Sequence, residues 1–197
     1  MDITYRKAQY SDCPMVAEYI YYASDGLLDY LFKDAIPDMT VTQLLTYGLA
    51  DVERHNSYKG VVVAESNKQI IGMLQAYSTI HHQIDDEMRA IIPGEKLEQL
   101  NEFYNSRVDN SLLINAMYVD ERFRRQGVAS QLISLAREEA RSQGYDKLSL
   151  FVLADNTPAQ KLYESTGFKT VKEVIFNDAA KINHTGGIDL MACDLQA

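Results

Sequence analysis

An arginine-rich loop lies in the middle of the sequence, between an apolar run that ends at Val119 and a helical pattern that begins near Gly127. It carries Arg122, Arg124 and Arg125, although the whole chain has 19 Lys and Arg against 28 Asp and Glu. The first amides of a helix lack partners within the helix, and the helix dipole adds about half a positive charge there. We therefore expect this loop to bind an anionic group such as a pyrophosphate.

Small residues flank Val128 at the start of the helical pattern. Gly127 and Ala129 leave the backbone accessible, because a larger side chain at either position would stand between the amides and a phosphate. The amides from Gln126 to Ser130 are expected to take the pyrophosphate. On the residues alone, a solvated arginine loop stays open as the alternative. A dinucleotide-binding unit is not expected, because the Gly-x-Gly-x-x-Gly pattern is absent.

Hydrophobic periodicity predicts the elements that would hold this loop. Strand-like runs occur at seven places: 3–6, 60–64, 70–77, 112–119, 147–153, 168–174 and 188–195. Helical spacing predicts helices at about 13–23, 41–55, 95–104, 127–143 and 157–165. Ser11, Asp12 and Pro14 favour the start of the first helix, and Gly144 favours the end of the fourth.

The order of these elements indicates how the strands pair. The runs at 60–64 and 70–77 are separated by a polar turn around Asn67, which predicts an antiparallel hairpin. Strand, helix and strand over residues 112–153 predict a parallel, right-handed crossover. The sequence thus predicts an α/β fold in which the arginine-rich loop joins a strand to a long helix.

The sequence resembles the GCN5-related N-acetyltransferases (GNAT). Arg124-x-x-Gly127-x-Ala129 matches the family signature Arg/Gln-x-x-Gly-x-Gly/Ala, at the family's position between the fourth strand and a long helix. Further features follow the family's order: Met117-Tyr118-Val119 before the signature, then Asn156, Ala159, Tyr163 and Gly167-Phe168 after it. The likeness covers the chain in element order and is specific from Leu112 to Lys169.

The resemblance implies a three-layer α/β fold with a mixed, mostly antiparallel sheet of seven strands flanked by helices. It further implies that acetyl-CoA binds in a cleft where the fourth and fifth strands splay apart. Pantetheine would pair with the fourth strand and the pyrophosphate would meet the helix start, so that the cofactor-binding residues would be Met117, Tyr118, Val119, Arg124, Arg125, Gln126, Gly127, Val128, Ala129 and Ser130. In the family the residue matching Asn156 contacts the pantetheine region, and here it could also be only the N-cap of its helix; both roles stay open.

Tyr163 matches the residue to which the resemblance assigns catalysis. An amine that attacks a thioester directly expels a thiolate whose conjugate acid has a pKa of about 8.5, and a phenol of pKa about 10 can donate to that sulfur. A packing role is the alternative, since Tyr163 is one of 13 tyrosines.

A general base is harder to place. Many family members carry a Glu on the fourth strand, and the matching position here is Asn115, which cannot accept a proton. Either a base lies elsewhere or the substrate has a lower pKa than an alkylammonium, about 10.4. The candidates are Glu65, His81, His82, Asp85, Asp86 and Glu87. No metal is expected, because adjacent histidines point to opposite faces of a strand.

A polar, acidic segment at about 81–110 separates the third and fourth strands. Thirty residues are long for a passive connection. One interpretation is a specificity insertion that covers the acceptor site and selects a cationic amine. The other is a solvated helix face.

Composition bounds the class of protein. The 197 residues are 46% hydrophobic with a net charge of -9, which favours one globular domain over residues 1–197 and disfavours nonspecific nucleic-acid binding. Cys13 and Cys193 are expected to be buried thiols, and neither a membrane span nor an apolar leader is visible, so a cytoplasmic location is expected.

The function that the resemblance implies is transfer of an acetyl group from acetyl-CoA to a primary amine by direct attack. The acceptor would be a small-molecule amine or a protein amine, and a homodimer stays open. Two alternatives stay open as well. One is a transferase that uses a longer acyl-CoA, and the other is a noncatalytic domain that senses CoA.

Overall fold

The computed structural model describes residues 2–33, 35–175 and 184–195. Seven strands form one sheet; they are β1 (Ile3–Lys7), β2 (Val61–Ser66), β3 (Gln69–Ser78), β4 (Ser111–Val119), β5 (Lys147–Leu153), β6 (Lys169–Val174) and β7 (Ile188–Asp194). Their order across the sheet is β1-β2-β3-β4-β5-β7-β6. The β4–β5 pair is parallel and the other five pairs are antiparallel. The expected mixed, mostly antiparallel sheet is confirmed.

Eight α-helices lie in the described part of the chain. They are α1 (Cys13–Ala23), α2 (Leu27–Phe32), α3 (Val41–Ala50), α4 (Asp86–Ile91), α5 (Gly94–Gln99), α6 (Asn101–Asn105), α7 (Val128–Ser142) and α8 (Thr157–Ser165). Within these described ranges, none is long and apolar enough to cross a membrane.

Helices cover both faces of the sheet because strand side chains alternate between the faces. The buried stripe of α7 packs against one face, and Leu132 and Ala140 in it are fully enclosed. Helices α1 and α3 pack on the other face with Val61 and Val63, whereas Val62 packs on the α7 side. A third apolar cluster joins α2 to α4, α5 and α6.

Two predicted helices were wrong in extent, and two short helices were not predicted. The helix expected at 41–55 ends at Ala50, because Asp51 adopts an extended backbone. The helix expected at 95–104 is divided into α5 and α6, since Leu100 leaves helical geometry at φ -100° and ψ 3°. Helices α2 and α4 were not predicted; each has six residues, too few to show a helical period.

Turns at the ends of the predicted elements have the expected chemistry. Asn67 and Lys68 have φ of 50° and 63° between β2 and β3, as a two-residue hairpin turn requires. Gly127 and Gly144, at φ 81° and 80°, flank α7 at its two ends.

Both cysteines, Cys13 and Cys193, are buried with free thiols.

The parallel strands β4 and β5 separate within the sheet. They pair from Ser111 and Lys147 only as far as Ile114 and Leu150, although both strands continue beyond these residues. Next to the point of separation, Gln75 pairs with Ala116 and Ala76 with Ile114, so Asn115 is an extra residue on β4. Such a bulge bends a strand and re-aims a side chain.

Candidate active site

A cleft of about 740 Å³ opens where β4 and β5 separate. Both strands line it, β4 from Ile114 to Val119 and β5 from Leu150 to Leu153. The start of α7 and the first turns of α8 contribute one set of lining residues, and α1, α2 and α6 contribute another. The cleft thus brings together segments that are more than 100 residues apart in the chain.

The β4 edge in this cleft suits an extended ligand. Leu74 and Gly72 of β3 pair with Met117 and Val119 on one side of the strand, while pairing with β5 stops at Ile114 on the other. A strand edge of this kind can hydrogen bond an added segment through its main chain. Met117, Tyr118 and Val119, the residues predicted to meet pantetheine, all line the cleft.

The start of α7 presents backbone amides to the cleft. Gly127 is in the left-handed region, and a Cβ built on it would meet open space, with no described atom within 4 Å beyond its chain neighbours. Arg125 at φ 59° is also left-handed. This geometry leaves room for an anionic group above the helix start.

The predicted phosphate-binding residues divide into two groups in the structure. Those that line the cleft are Arg124, Arg125, Gly127, Val128, Ala129 and Ser130. Arg124 is anchored by its Nε, which donates to the Val119 carbonyl at 3.1 Å. Gln126 is not among the lining residues, and its side-chain amide donates to the Arg122 carbonyl at 3.2 Å. The Arg122 side chain is held by Asp120 at 2.8 Å.

Helix α8 carries Asn156 and Tyr163 into the cleft wall. The Asn156 side chain accepts a hydrogen bond from the Ala159 amide at 3.2 Å, so Asn156 is the N-cap of α8. It also lines the cleft. Tyr163 is 8% exposed and its ring contacts Phe168 edge-on, with 5.8 Å between ring centroids. Burial raises the pKa of Tyr163 to about 12, which keeps the phenol protonated at neutral pH.

Asn115 lies exposed in the cleft at the bulge. Its Oδ1 accepts from the Tyr77 hydroxyl at 3.0 Å, and its Nδ2 donates to Gln75 Oε1 at 2.8 Å. Gln75 in turn donates to the Asn56 carbonyl at 2.5 Å. The amide at the position of the expected base is therefore fixed on both sides.

The carboxylates that the sequence suggested as proton acceptors lie outside the cleft, and three of them have other partners. Glu65 pairs with Arg6 at 2.9 Å, and Glu87 pairs with Arg54 at 2.6 Å. Asp85 caps α4 by accepting from the Met88 amide. Asp86 lies in the first turn of that helix. None of these four carboxylates is among the described residues that line the cleft.

The two candidate histidines lie on opposite sides of a short turn. His81 stacks on His55 at 4.6 Å between ring centroids, in a second cavity of about 370 Å³. His82 is 3% exposed and lies against Phe103 and Phe151; burial lowers its pKa to about 4. Within the described residues, no group of three or more His, Cys, Asp or Glu side chains is arranged to hold a metal ion.

Sequence reasoning missed several residues of the cleft. Asp25 lines it from the loop between α1 and α2 and pairs with His184 at 3.0 Å. Phe103 and Tyr104 line it from α6. In the sequence, the run Ser24-Asp25-Gly26 predicts only a turn, and aromatic residues such as Phe103 predict only core packing. No local signal therefore indicated that these side chains line a ligand site.

Comparisons with known sequences agree with this geometry. The model of the Acetyltransferase (GNAT) family matches residues 27–168. The chain is 34% identical over 107 residues to GCN5-related N-acetyltransferase 6, chloroplastic, of Arabidopsis thaliana, covering 53% of this chain and 35% of that protein. It is 30% identical over 114 residues to N-acetyltransferase 8 of Homo sapiens, covering 58% and 40%. The chain thus spans less than half the length of these two relatives.

Solved structures share the fold over nearly the whole chain. The crystal structure of an N-acetyltransferase from Staphylococcus aureus Mu50 has a TM-score of 0.71 at 19% identity, covering 96% of this chain and 99% of that one. That of yncA, described as a putative acetyltransferase from Salmonella typhimurium with its cofactor acetyl-CoA, has a TM-score of 0.61 at 17% identity, covering 100% and 96%. Since the family model spans well over half of the sequence, the chain belongs to the acetyltransferase (GNAT) family.

Proposed function

We propose that the protein transfers the acetyl group of acetyl-CoA to a primary amine by direct attack. The observation that carries this proposal is the meeting of three features in one cleft: the open start of α7, the unpaired β4 edge and the buried phenol of Tyr163. A structural relative of the same fold was solved with acetyl-CoA.

The residues of the cleft fit acetyl-CoA in its separate parts. The amides from Gly127 to Ser130 would hold the pyrophosphate, with Arg124 and Arg125 adding positive charge. The free β4 edge from Met117 to Val119 would hydrogen bond the pantetheine amides. Asn156 would contact the same arm while it caps α8. Acetyl-CoA supplies an activated thioester, and the side chains supply position and a hydrogen bond.

The transfer needs one bond made and one broken. The amine nitrogen bonds to the acetyl carbon, the carbon–sulfur bond breaks, and the amine loses one proton to water while the sulfur takes up one. Tyr163 would donate a hydrogen bond to the departing sulfur. Because its pKa of about 12 lies above the roughly 8.5 of a thiol, this hydrogen bond avoids an uphill proton transfer from the phenol.

Release of free thiol from acetyl-CoA across a panel of amines tests the proposal, with mass spectrometry of the acetylated product. Thiol release that depends on an amine supports it. A protein that binds CoA yet acetylates no amine would instead support a CoA-sensing role, which the absence of a carboxylate at Asn115 favours. Faster turnover with a longer acyl-CoA than with acetyl-CoA would show that the natural donor is a longer acyl-CoA.

The acetyl-CoA dependence can be tied to the cleft with one variant. Gly127→Glu places bulk and negative charge at the start of α7, so we expect it to abolish CoA binding in a folded protein. Calorimetric titration with CoA measures the affinity, and circular dichroism checks the fold. Wild-type affinity in a folded Gly127→Glu protein would show that the phosphate site lies elsewhere.

A further inference from the structure

Hydrogen bonds fix the orientation of the Asn115 amide. The backbone carbonyl of Asn56 can only accept, so Gln75 must turn its NH2 toward it and its Oε1 toward Asn115. Asn115 then donates from Nδ2 at 2.8 Å and accepts from the Tyr77 hydroxyl at 3.0 Å. This leaves one N–H and one lone pair of Asn115 for a ligand, because an amide has two donor hydrogens and two acceptor sites.

An amide at this place can hold an amine but cannot deprotonate it. The remaining lone pair of Asn115 Oδ1 can accept an N–H from an uncharged amine and leave the nitrogen lone pair free for attack. An ammonium would first have to lose a proton to some other group. The chemistry of the acceptor is therefore restricted by what else lines the cleft.

Asp25 is the only carboxylate among the described residues that line the cleft. It lies in the α1–α2 loop, its side chain is 59% exposed, and it already pairs with His184 at 3.0 Å. The described lining thus contains no unpaired carboxylate to attract or deprotonate an ammonium.

Apolar side chains form another wall of the same cleft. It is formed by Leu27, Leu28 and Leu31 around α2 and by Phe103 and Tyr104 of α6. Burial, and after it the negative charge of Asp85, raise the pKa of Tyr104, so its phenol stays neutral. The acidic residues Asp85 and Asp86 are on α4 and its cap, outside the described lining. Such a surface favours an acceptor with an apolar side chain over an acceptor with a charged side chain.

Building on the proposed acetyl transfer, we propose that the acceptor is an uncharged α-amine on a carbon that also bears an apolar side chain, held by Asn115 rather than deprotonated by a carboxylate. An α-amino group has a pKa of about 7.7–8.0, against about 10.4 for an alkylamine. At pH 7.4 the uncharged fraction is about 200–300 times larger for the α-amine. Amino acid amides and peptide N-termini share this chemistry.

A matched pair of acceptors tests the proposal. Leucinamide and 3-methylbutylamine carry the same branched side chain on amines of different pKa. We expect kcat/KM at pH 7.4 to be about 100-fold or more higher for leucinamide, following the uncharged fractions. The value for 3-methylbutylamine should rise about tenfold per pH unit between pH 7 and 9, while that for leucinamide levels off above pH 8. Equal values at pH 7.4, or faster acetylation of spermidine, would overturn the proposal.

Further acceptors separate the apolar requirement from the amine requirement. Glycinamide has the α-amine without the side chain and is expected to be a poorer acceptor than leucinamide; equal rates would refute the apolar part. The tripeptide Leu-Gly-Gly against leucinamide distinguishes a peptide N-terminus from a small amide as the source of the amine. Failure of the underlying transferase proposal looks different, because then no acceptor in the series releases thiol.

The role of Asn115 has its own readout. Asn115→Ala is expected to lower kcat/KM for leucinamide about tenfold, the range for one lost hydrogen bond, without changing the affinity for CoA. A merely structural role would lower CoA affinity and thermal stability together. Tyr77→Phe, which removes one anchor of the same amide, should give a smaller loss for leucinamide. Unchanged kinetics in folded Asn115→Ala would overturn the assignment.

Discussion

Gly127 can be tested against a matched glycine at the other end of α7. Gly127 and Gly144 have nearly the same φ, 81° and 80°, and a Cβ on either would lie in open space beyond its chain neighbours. Alanine therefore adds the same left-handed backbone strain at both positions, about 1–2 kcal/mol, and no clash. For a domain of this size each kcal/mol lowers Tm by about 2–4 °C. The two variants should melt at similar temperatures, below the wild type.

Binding of CoA should separate the two alanine variants. A methyl group at position 127 would stand where a phosphate oxygen approaches the amides, whereas position 144 lies at the other end of a 15-residue helix. Loss of one hydrogen bond to a charged group costs about 1.5–3 kcal/mol, or roughly 10- to 150-fold in Kd. Calorimetric titration of both variants measures this difference. Equal affinities in Gly127→Ala and Gly144→Ala would refute the phosphate site at the start of α7.

Three further expectations concern Tyr163, Gly72 and His82. Tyr163→Phe should lower kcat about 10²–10³-fold, the usual loss for one donor to developing charge, with CoA affinity unchanged in calorimetry; a change in affinity alone would indicate a binding role. Gly72→Ala should lower both Tm and CoA affinity, because its Cβ would lie 2.9 Å from the Tyr118 carbonyl and push β3 from β4; an unchanged melting curve would contradict this. Burial lowers the pKa of His82 to about 4, from 6.5. The unfolded chain therefore binds the extra proton first, and stability should fall by up to about 1.4 kcal/mol per unit as pH drops from 6.5 to 4. Urea denaturation of His82→Phe should lack that slope, and an equal slope would refute it.

The parts of the fold that the sequence predicted are those with local signals. All seven strands and α7 followed from hydrophobic period, and Gly127 and Gly144 marked the limits of the helix. The phosphate-binding interpretation was also local, because it needed only a strand, a short loop and a helix start in succession. Helices α2 and α4 escaped prediction because each is about one and a half turns long and is stabilised by a shared apolar cluster rather than by its own period.

The part of the cleft that we propose for the acceptor could not be predicted, because its residues meet only in the folded chain. The bulge at Asn115 is set by the register between β3 and β4, and this register cannot be read from the sequence. The direction of its amide depends on a carbonyl at Asn56, 59 residues earlier. The negative charges of Asp85 and Glu87 suggested a place in the cleft. In the structure Asp85 caps α4 and Glu87 pairs with Arg54.

The proposed CoA site and the proposed acceptor wall come from different parts of the chain. The start of α7 and the β4 edge form within one stretch of chain, whereas the proposed acceptor wall is assembled from α2, α6 and the bulge. Leu28 and Phe103 lie on α2 and α6 and are not part of the Gly127 loop. We expect substitutions there to change kcat/KM for the acceptor more than the affinity for CoA. If the proposed function holds, exchange of a few apolar side chains on α2 and α6 would change acceptor specificity and leave the proposed CoA site unchanged.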